Sequence, residues 1–115
     1  MIDRGAARRR RIGALGEDIA ARFLRRHGCV VLGRNLEIGR GEIDLLVRHN
    51  RERTVVEVKT VTEAAGRLGS DAVDGAKDAR LRTMARKLDP PVHRIDIVEV
   101  LLDASGARVR WLRWI

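Results

Sequence analysis

Residues 41–60 read GEIDLLVRHNRERTVVEVKT. Two apolar runs, 43–47 and 55–58, flank a polar stretch, His49-Asn50-Arg51-Glu52-Arg53. The pattern predicts a β-hairpin or two adjacent strands. Glu42, Asp44, Glu57 and Lys59 sit inside or against those runs. A strand that is apolar on both faces is expected to be buried on both. Charge there is costly unless it is paired or holds a metal ion. That conflict is the first indication of function.

The chain has 115 residues, enough for one domain around one core. At 44% hydrophobic and 35% charged it reads as globular rather than disordered. No apolar run approaches the roughly 20 residues that span a bilayer, so no membrane is expected as a partner. The N-terminal arginines precede no apolar segment and do not read as a secretory signal. Cys29 is the single cysteine, which excludes an intrachain disulfide and a cysteine-rich metal site. A reducing, cytoplasmic location is the expectation. The net charge of +8 favours a polyanionic partner, with nucleic acid the natural candidate.

Residues 1–11 carry Arg4, Arg8, Arg9, Arg10 and Arg11 and read as a mobile basic arm. Residues 12–115 then form one domain. Ile12, Leu15, Gly16, Ile19, Ala20, Phe23 and Leu24 recur at helical spacing, and Gly28 suits the left-handed cap after them. Glu17 falls at the edge of that apolar face. A short strand at 29–32 and an irregular connection at 34–40 lead into the two strands above. A polar loop is expected over 61–69, with Ser70 or Asp71 capping a second helix that runs to Leu88. Val73, Ala76, Leu81, Met84 and Leu88 mark its buried stripe, which Lys77 shares and Arg80 borders. Asp89-Pro90-Pro91 ends it. Strands over 92–102 and 108–114, with a turn at 103–106, complete the chain. Helices interleaved with strands predict an α/β layer structure with one mixed sheet, in the order αβββαββ.

Alternate strand residues share a face, so Glu57 and Lys59 are neighbours. Antiparallel pairing would bring Asp44 to within roughly 5 Å of Glu57 if the two are directly opposite. Two carboxylates at that distance repel unless a cation lies between them. Magnesium, or manganese in its place, suits such an oxygen site because it keeps several of its waters. The chemistry expected is metal-assisted phosphodiester hydrolysis, with Lys59 stabilising phosphoryl charge or activating water. Glu17 would complete the metal shell or act through water, and Lys77 and Arg80 would hold the phosphate backbone. The competing reading is a structural ion-pair network of Asp44, Glu57 and Lys59. Arg94 with Asp96 reads as a structural pair. His27, His49 and His93 read as surface or hydrogen-bonded histidines, and Trp111 and Trp114 as packing residues.

GALGEDIAARFLRRHG, GRN, GEIDLLV, VVEVKT, AVDGAKDARL and RIDIVEV follow one another in this order. That series resembles the YraN family of bacterial proteins, over residues 12–114. The family looks like a minimal member of the PD-(D/E)XK nuclease superfamily, similar to type II restriction endonucleases and archaeal Holliday-junction resolvases. The resemblance implies a restriction-endonuclease-like three-layer core, with a mixed central sheet flanked by helices. It matches Asp44, Glu57 and Lys59 to the D…E-x-K signature. Glu17 matches an acidic residue on the first helix, and Lys77 a basic position on the crossover helix. Val61 stands where the family commonly has arginine, and Leu88 lies near a position usually aromatic.

Two functions are open at this point. One is a magnesium-dependent, structure-selective endonuclease acting on DNA, with Asp44, Glu57 and Glu17 as metal ligands. Arg8, Arg9, Arg10, Arg11, Lys77 and Arg80 would contact its nucleic acid. The other is a non-catalytic nucleic-acid-binding or interaction module on the same fold. A domain this short engages little DNA, so a homodimer that presents two sites is a further expectation.

Overall fold

The computed structural model describes residues 3–63 and 75–115, with the side chains of residues 75 and 76 excepted. Among the described residues, two helices and five strands follow in chain order: α1 Arg4–Arg26, β1 Val30–Ile38, β2 Gly41–His49, β3 Glu52–Thr62, α2 Gly75–Lys87, β4 Arg94–Asp103 and β5 Gly106–Arg113. This is the predicted order, αβββαββ. The strands form a single sheet in the order β1-β2-β3-β4-β5. Only the β3–β4 pair is parallel, as a helical crossover requires.

The two helices cover opposite faces. Ala20, Ala21 and Leu24 of α1 pack with Leu45, Val47, Val56, Val98 and Val100 on one side. Leu81 and Ala85 of α2 pack with Ile43, Leu46, Val55, Val92 and Ile95 on the other. Both faces of β2 and β3 are therefore buried, which is why their apolar runs are nearly continuous. A mixed α/β sheet between two helical layers is the predicted three-layer architecture.

Helix α1 begins earlier than expected. From Arg4 on, the stretch read as an arm is the first two turns of the helix. The stretch read as an arm because its arginines have little to pack, and five arginines near a helix N-terminus also oppose the macrodipole. Asp3 offsets that penalty as N-cap, its carboxylate accepting from the Ala6 N–H at 3.0 Å. At the other end Gly28 adopts φ 88° and Cys29 N–H donates to Leu24 O at 2.9 Å, the expected left-handed cap. Leu15 departs from the expected stripe. It is 48% exposed, while Ala21, outside that stripe, is buried.

Over residues 34–38 the connection expected at 34–40 is instead the second half of β1, and only residues 39–40 form a turn. A one-residue bulge between Val31 and Gly33 shifts the β1–β2 register, and pairing continues to Ile38↔Gly41. Asn35 within it takes φ 50°. The turn between β2 and β3 shrinks to Asn50-Arg51, both at positive φ (51° and 69°), the twist that a two-residue hairpin needs. Strand β3 runs on to Thr62, past the expected start of a loop at residue 61. Residues 64–69 of that loop, the Ser70 or Asp71 cap, Val73 and the Ala76 side chain lie outside the described residues.

The pair expected of Arg94 and Asp96 forms. Asp96 is fully buried and accepts from Arg94 Nε at 3.0 Å, Arg94 Nη2 at 3.1 Å and Trp111 Nε1 at 2.8 Å. Trp111 packs into the α1-side core, whereas Trp114 remains 42% exposed and donates to Asp78 Oδ1 at 3.1 Å. His27 Nδ1 lies 2.8 Å from Phe23 O, and His49 meets the Trp111 ring edge-on. No helix among the described residues is long and apolar enough to cross a membrane.

Candidate active site at a fork in the sheet

Strands β2 and β3 pair from His49↔Glu52 down to Leu45↔Val56, and there the ladder stops. Both strands continue. Strand β2 stays paired with β1 as far as Gly41, and β3 stays paired with β4 as far as Thr62. The sheet is thus forked, and Asp44 sits at the crotch. The next pair in register would have been Asp44↔Glu57. The expected opposition of these two residues is therefore correct in register, yet it falls where the strands part.

Asp44 Oδ2 accepts from the Val58 N–H at 2.8 Å, a backbone donor left over where the ladder ends. Strand alternation breaks at the same place: Ile43 and Leu46, three apart, both join the α2-side core. Burial, followed by the charge of Glu57, pushes the Asp44 carboxyl up from 3.8 to about 7; the Val58 hydrogen bond opposes this. Glu57, on the α2 side of β3, is buried and pairs with Lys77 Nζ of α2 at 2.8 Å. Lys59 is its neighbour on the same face. Burial, and then the Lys77 charge, hold the Lys59 ammonium below its ordinary pKa.

Helix α1 reaches the fork because Gly16 lets it. A Cβ on Gly16 would lie 1.8 Å from Thr60 Oγ1, so the helix backbone rests directly on β3. The next residue, Glu17, is held above its usual carboxylate range by burial, which Arg34 partly offsets. With the Asn35 amide oriented to face carboxylates, its nitrogen donates to Glu17 Oε2 at 2.8 Å and Glu42 Oε1 at 2.9 Å. Asn35 thus ties a helix carboxylate to a strand carboxylate.

Asp44, Glu57, Lys59 and Glu17 are gathered around the fork, and Lys77 joins them through Glu57. Arg80 is exposed and lines a groove between α2 and the start of β2, which Glu42 and Glu57 also line. Arg8, Arg9, Arg10 and Arg11 are exposed on the first turns of α1, and none of them lines that groove. Glu42 was visible in the sequence only as one more charge beside Asp44. Asn35 was missed, because its role comes from a left-handed backbone inside a bulged edge strand. Among the described residues, no three His, Cys, Asp or Glu side chains stand as an assembled metal site. The carboxylate oxygens of Asp44, Glu57 and Glu17 are donors of the type that magnesium or manganese takes.

A forked mixed sheet between two helices, with an aspartate at the fork and E-x-K on the neighbouring strand, defines the class: the PD-(D/E)XK nuclease superfamily. Within it, the chain belongs to the Uncharacterised protein family UPF0102, whose family pattern matches residues 16–100. The chain is similar to a UPF0102 protein of Solibacter usitatus, 43% identical over 109 residues, covering 88% of this chain and 82% of that protein. It is also similar to one of Parafrankia sp., 38% identical over 103 residues, covering 84% and 87%. Among solved structures it is similar to Pyrococcus furiosus SfsA in complex with Ca2+. There the TM-score is 0.44 at 16% identity, over 90% of this chain and 63% of that one.

Proposed function

We propose that the chain is a divalent-cation-dependent endonuclease that hydrolyses phosphodiester bonds in DNA and selects by structure rather than by sequence. The observation that carries this reading is the position of Asp44 against Glu57 at the fork. A carboxyl held to about 7 by burial and a neighbouring carboxylate is poised to exchange its proton for a cation. Asp44 and Glu57 would hold magnesium or manganese with Glu17. The ion would polarise the phosphoryl oxygen and acidify a water.

The chain's own residues do the rest. Lys59 places an ammonium where negative charge grows on the phosphoryl group. Asn35 restrains Glu17 and Glu42 against their mutual repulsion. Lys77 and Arg80 offer charge to the sugar–phosphate backbone without reading sequence. Arg8, Arg9, Arg10 and Arg11 extend that charge along α1. A cytoplasmic location and a homodimer with two sites on two strands belong to the same reading.

A second reading, a non-catalytic nucleic-acid-binding module, is favoured by one contact. Lys77 already neutralises Glu57 at 2.8 Å, so the fork is held together by a cation of the chain's own. Incubating the protein with linear, flapped and four-way-branched DNA in Mg2+ or Mn2+ separates the two. Cleavage of a branched substrate that Glu57→Ala and Lys59→Ala abolish supports the nuclease. Salt-sensitive binding without cleavage under either ion leaves the module.

A further inference from the structure

The groove beside the fork carries more than positive charge. It has a volume of about 500 Å³, enough for a small ligand, and opens on to Glu57. Ile38, Leu81 and Met84 form an apolar floor. Met84 lies close across the strand backbone: a Cβ on Gly41 would come within 2.4 Å of its sulfur. Arg40, Arg80 and Lys87 stand around the floor. None of these three forms a salt bridge among the described residues.

We infer that this groove takes a single unpaired nucleotide, its base face on Met84 and Ile38 and its phosphates against Arg40, Arg80 and Lys87. The inference rests on the nucleic-acid reading above and names the structure that would be selected. A purely apolar ligand would leave three cations unanswered. A duplex would bring phosphates but keep its base faces stacked and its edges paired, leaving the apolar floor uncovered. An unpaired nucleotide supplies both surfaces. A thioether is a good partner for a ring face, and base stacking on side chains is tolerant of sequence. The chain has three aromatic residues, and all are engaged elsewhere: Phe23 and Trp111 on the α1 side, Trp114 at Asp78. Met84 and Ile38 are thus the shelf available beside the fork. The substrate would be a frayed end, a flap or a branch point with an unpaired base next to the bond to be cut.

The test uses duplexes that carry a single-stranded flap, with one 2-aminopurine stepped through the junction, bound to the whole protein in EDTA so that nothing is cut. A base drawn from its neighbours into the groove should brighten several-fold at one or two positions only. Met84→Ser should abolish that brightening, and Ile38→Ser repeats the trial at the other floor residue should Met84→Ser fail to fold. Arg80→Ala should lower the salt slope of binding by about 0.7, one phosphate contact on a single strand. Salt-dependent binding with no position-specific brightening, or brightening unchanged by both serine variants, overturns the inference and leaves the nucleic-acid reading standing. Failure of every strand to bind at low salt overturns both.

Discussion

The Asp44 carboxylate accepts the Val58 N–H at 2.8 Å, at the point where the β2–β3 ladder ends. An acidic side chain thereby closes a gap in the backbone hydrogen bonding. The bond fixes Asp44 beside Glu57, and both are largely withdrawn from water. The fork is thus more than the place where two strands part. It holds a carboxyl in a setting that resists ionisation.

Stability should fall with rising pH because of Asp44. Its unfolded carboxyl releases a proton near 3.8, its folded one at about 7, so between those values the folded state binds more protons. With more protons on the native side, rising pH works against folding across that window. In metal-free protein the urea midpoint should therefore decline from pH 5 to pH 8. Asp44→Asn removes the ionisable proton but keeps an oxygen for Val58. It should flatten the pH dependence and stabilise the protein at pH 8 by about 0.5–2 kcal/mol, the usual scale of a stabilising substitution.

Cation binding should mirror that titration. If one proton leaves Asp44 for each ion bound, Mn2+ affinity read by the EPR signal of the free ion should rise about tenfold per pH unit until the carboxyl has ionised near 7. Lys77→Ala takes the ammonium from Glu57 and should tighten Mn2+ binding further, since ion and ammonium seek the same oxygen. Affinity indifferent to both pH and Lys77 would place the ion elsewhere.

Gly16→Ala should uncouple α1 from the fork. The new methyl would sit 1.8 Å from Thr60 Oγ1 and 2.8 Å from Thr60 Cβ, so the helix must lift. Overpacking of this kind costs about 1–3 kcal/mol, measurable by thermal melting. Thr60→Gly in the same chain should recover most of it, whereas Thr60→Ala, which keeps the Cβ, should recover less.

Asp96 tests the opposite kind of buried acid. It is fully enclosed, and Arg94 and Trp111 depend on it. Asp96→Ala takes two hydrogen bonds from Arg94, which keeps Glu52 at 3.0 Å, and takes the acceptor from the Trp111 N–H, so a loss of about 1–3 kcal/mol in denaturant unfolding is expected. Because Asp96 lies on the α1 side of β4, away from the fork, Mn2+ binding in native protein should be unchanged.

Local pattern carried most of the fold into the sequence. The apolar runs around Asp44 and Glu57 located β2 and β3, Gly28 marked the end of α1, and Asp89-Pro90-Pro91 closed α2. Those signals are short-range, set by side-chain period and backbone preference, and they survive without knowledge of the partner. Where the reading failed, a neighbour decided. Residues 34–38 look irregular alone and become strand because β2 supplies hydrogen-bond partners. Arg4–Arg11 look unsuited to a helix start until Asp3 caps it. Leu15 is exposed because the sheet lies under Gly16, Ala20 and Leu24.

The candidate site divides in the same way. Sequence by itself determined which groups were anomalous, since charge among apolar residues is a cost visible one residue at a time: Asp44, Glu57, Lys59 and Glu17. Tertiary structure alone decided what that cost does. Register placed Asp44 against Glu57 at the position where the ladder breaks. A left-handed residue in a bulged edge strand brought Asn35 between Glu17 and Glu42, and the crossover helix α2 put Lys77 on Glu57. The facing of Asp44 and Glu57 could be read within one hairpin, but the break in the ladder, the Asn35 link to Glu17 and the Lys77 pair are fixed by how whole elements dock.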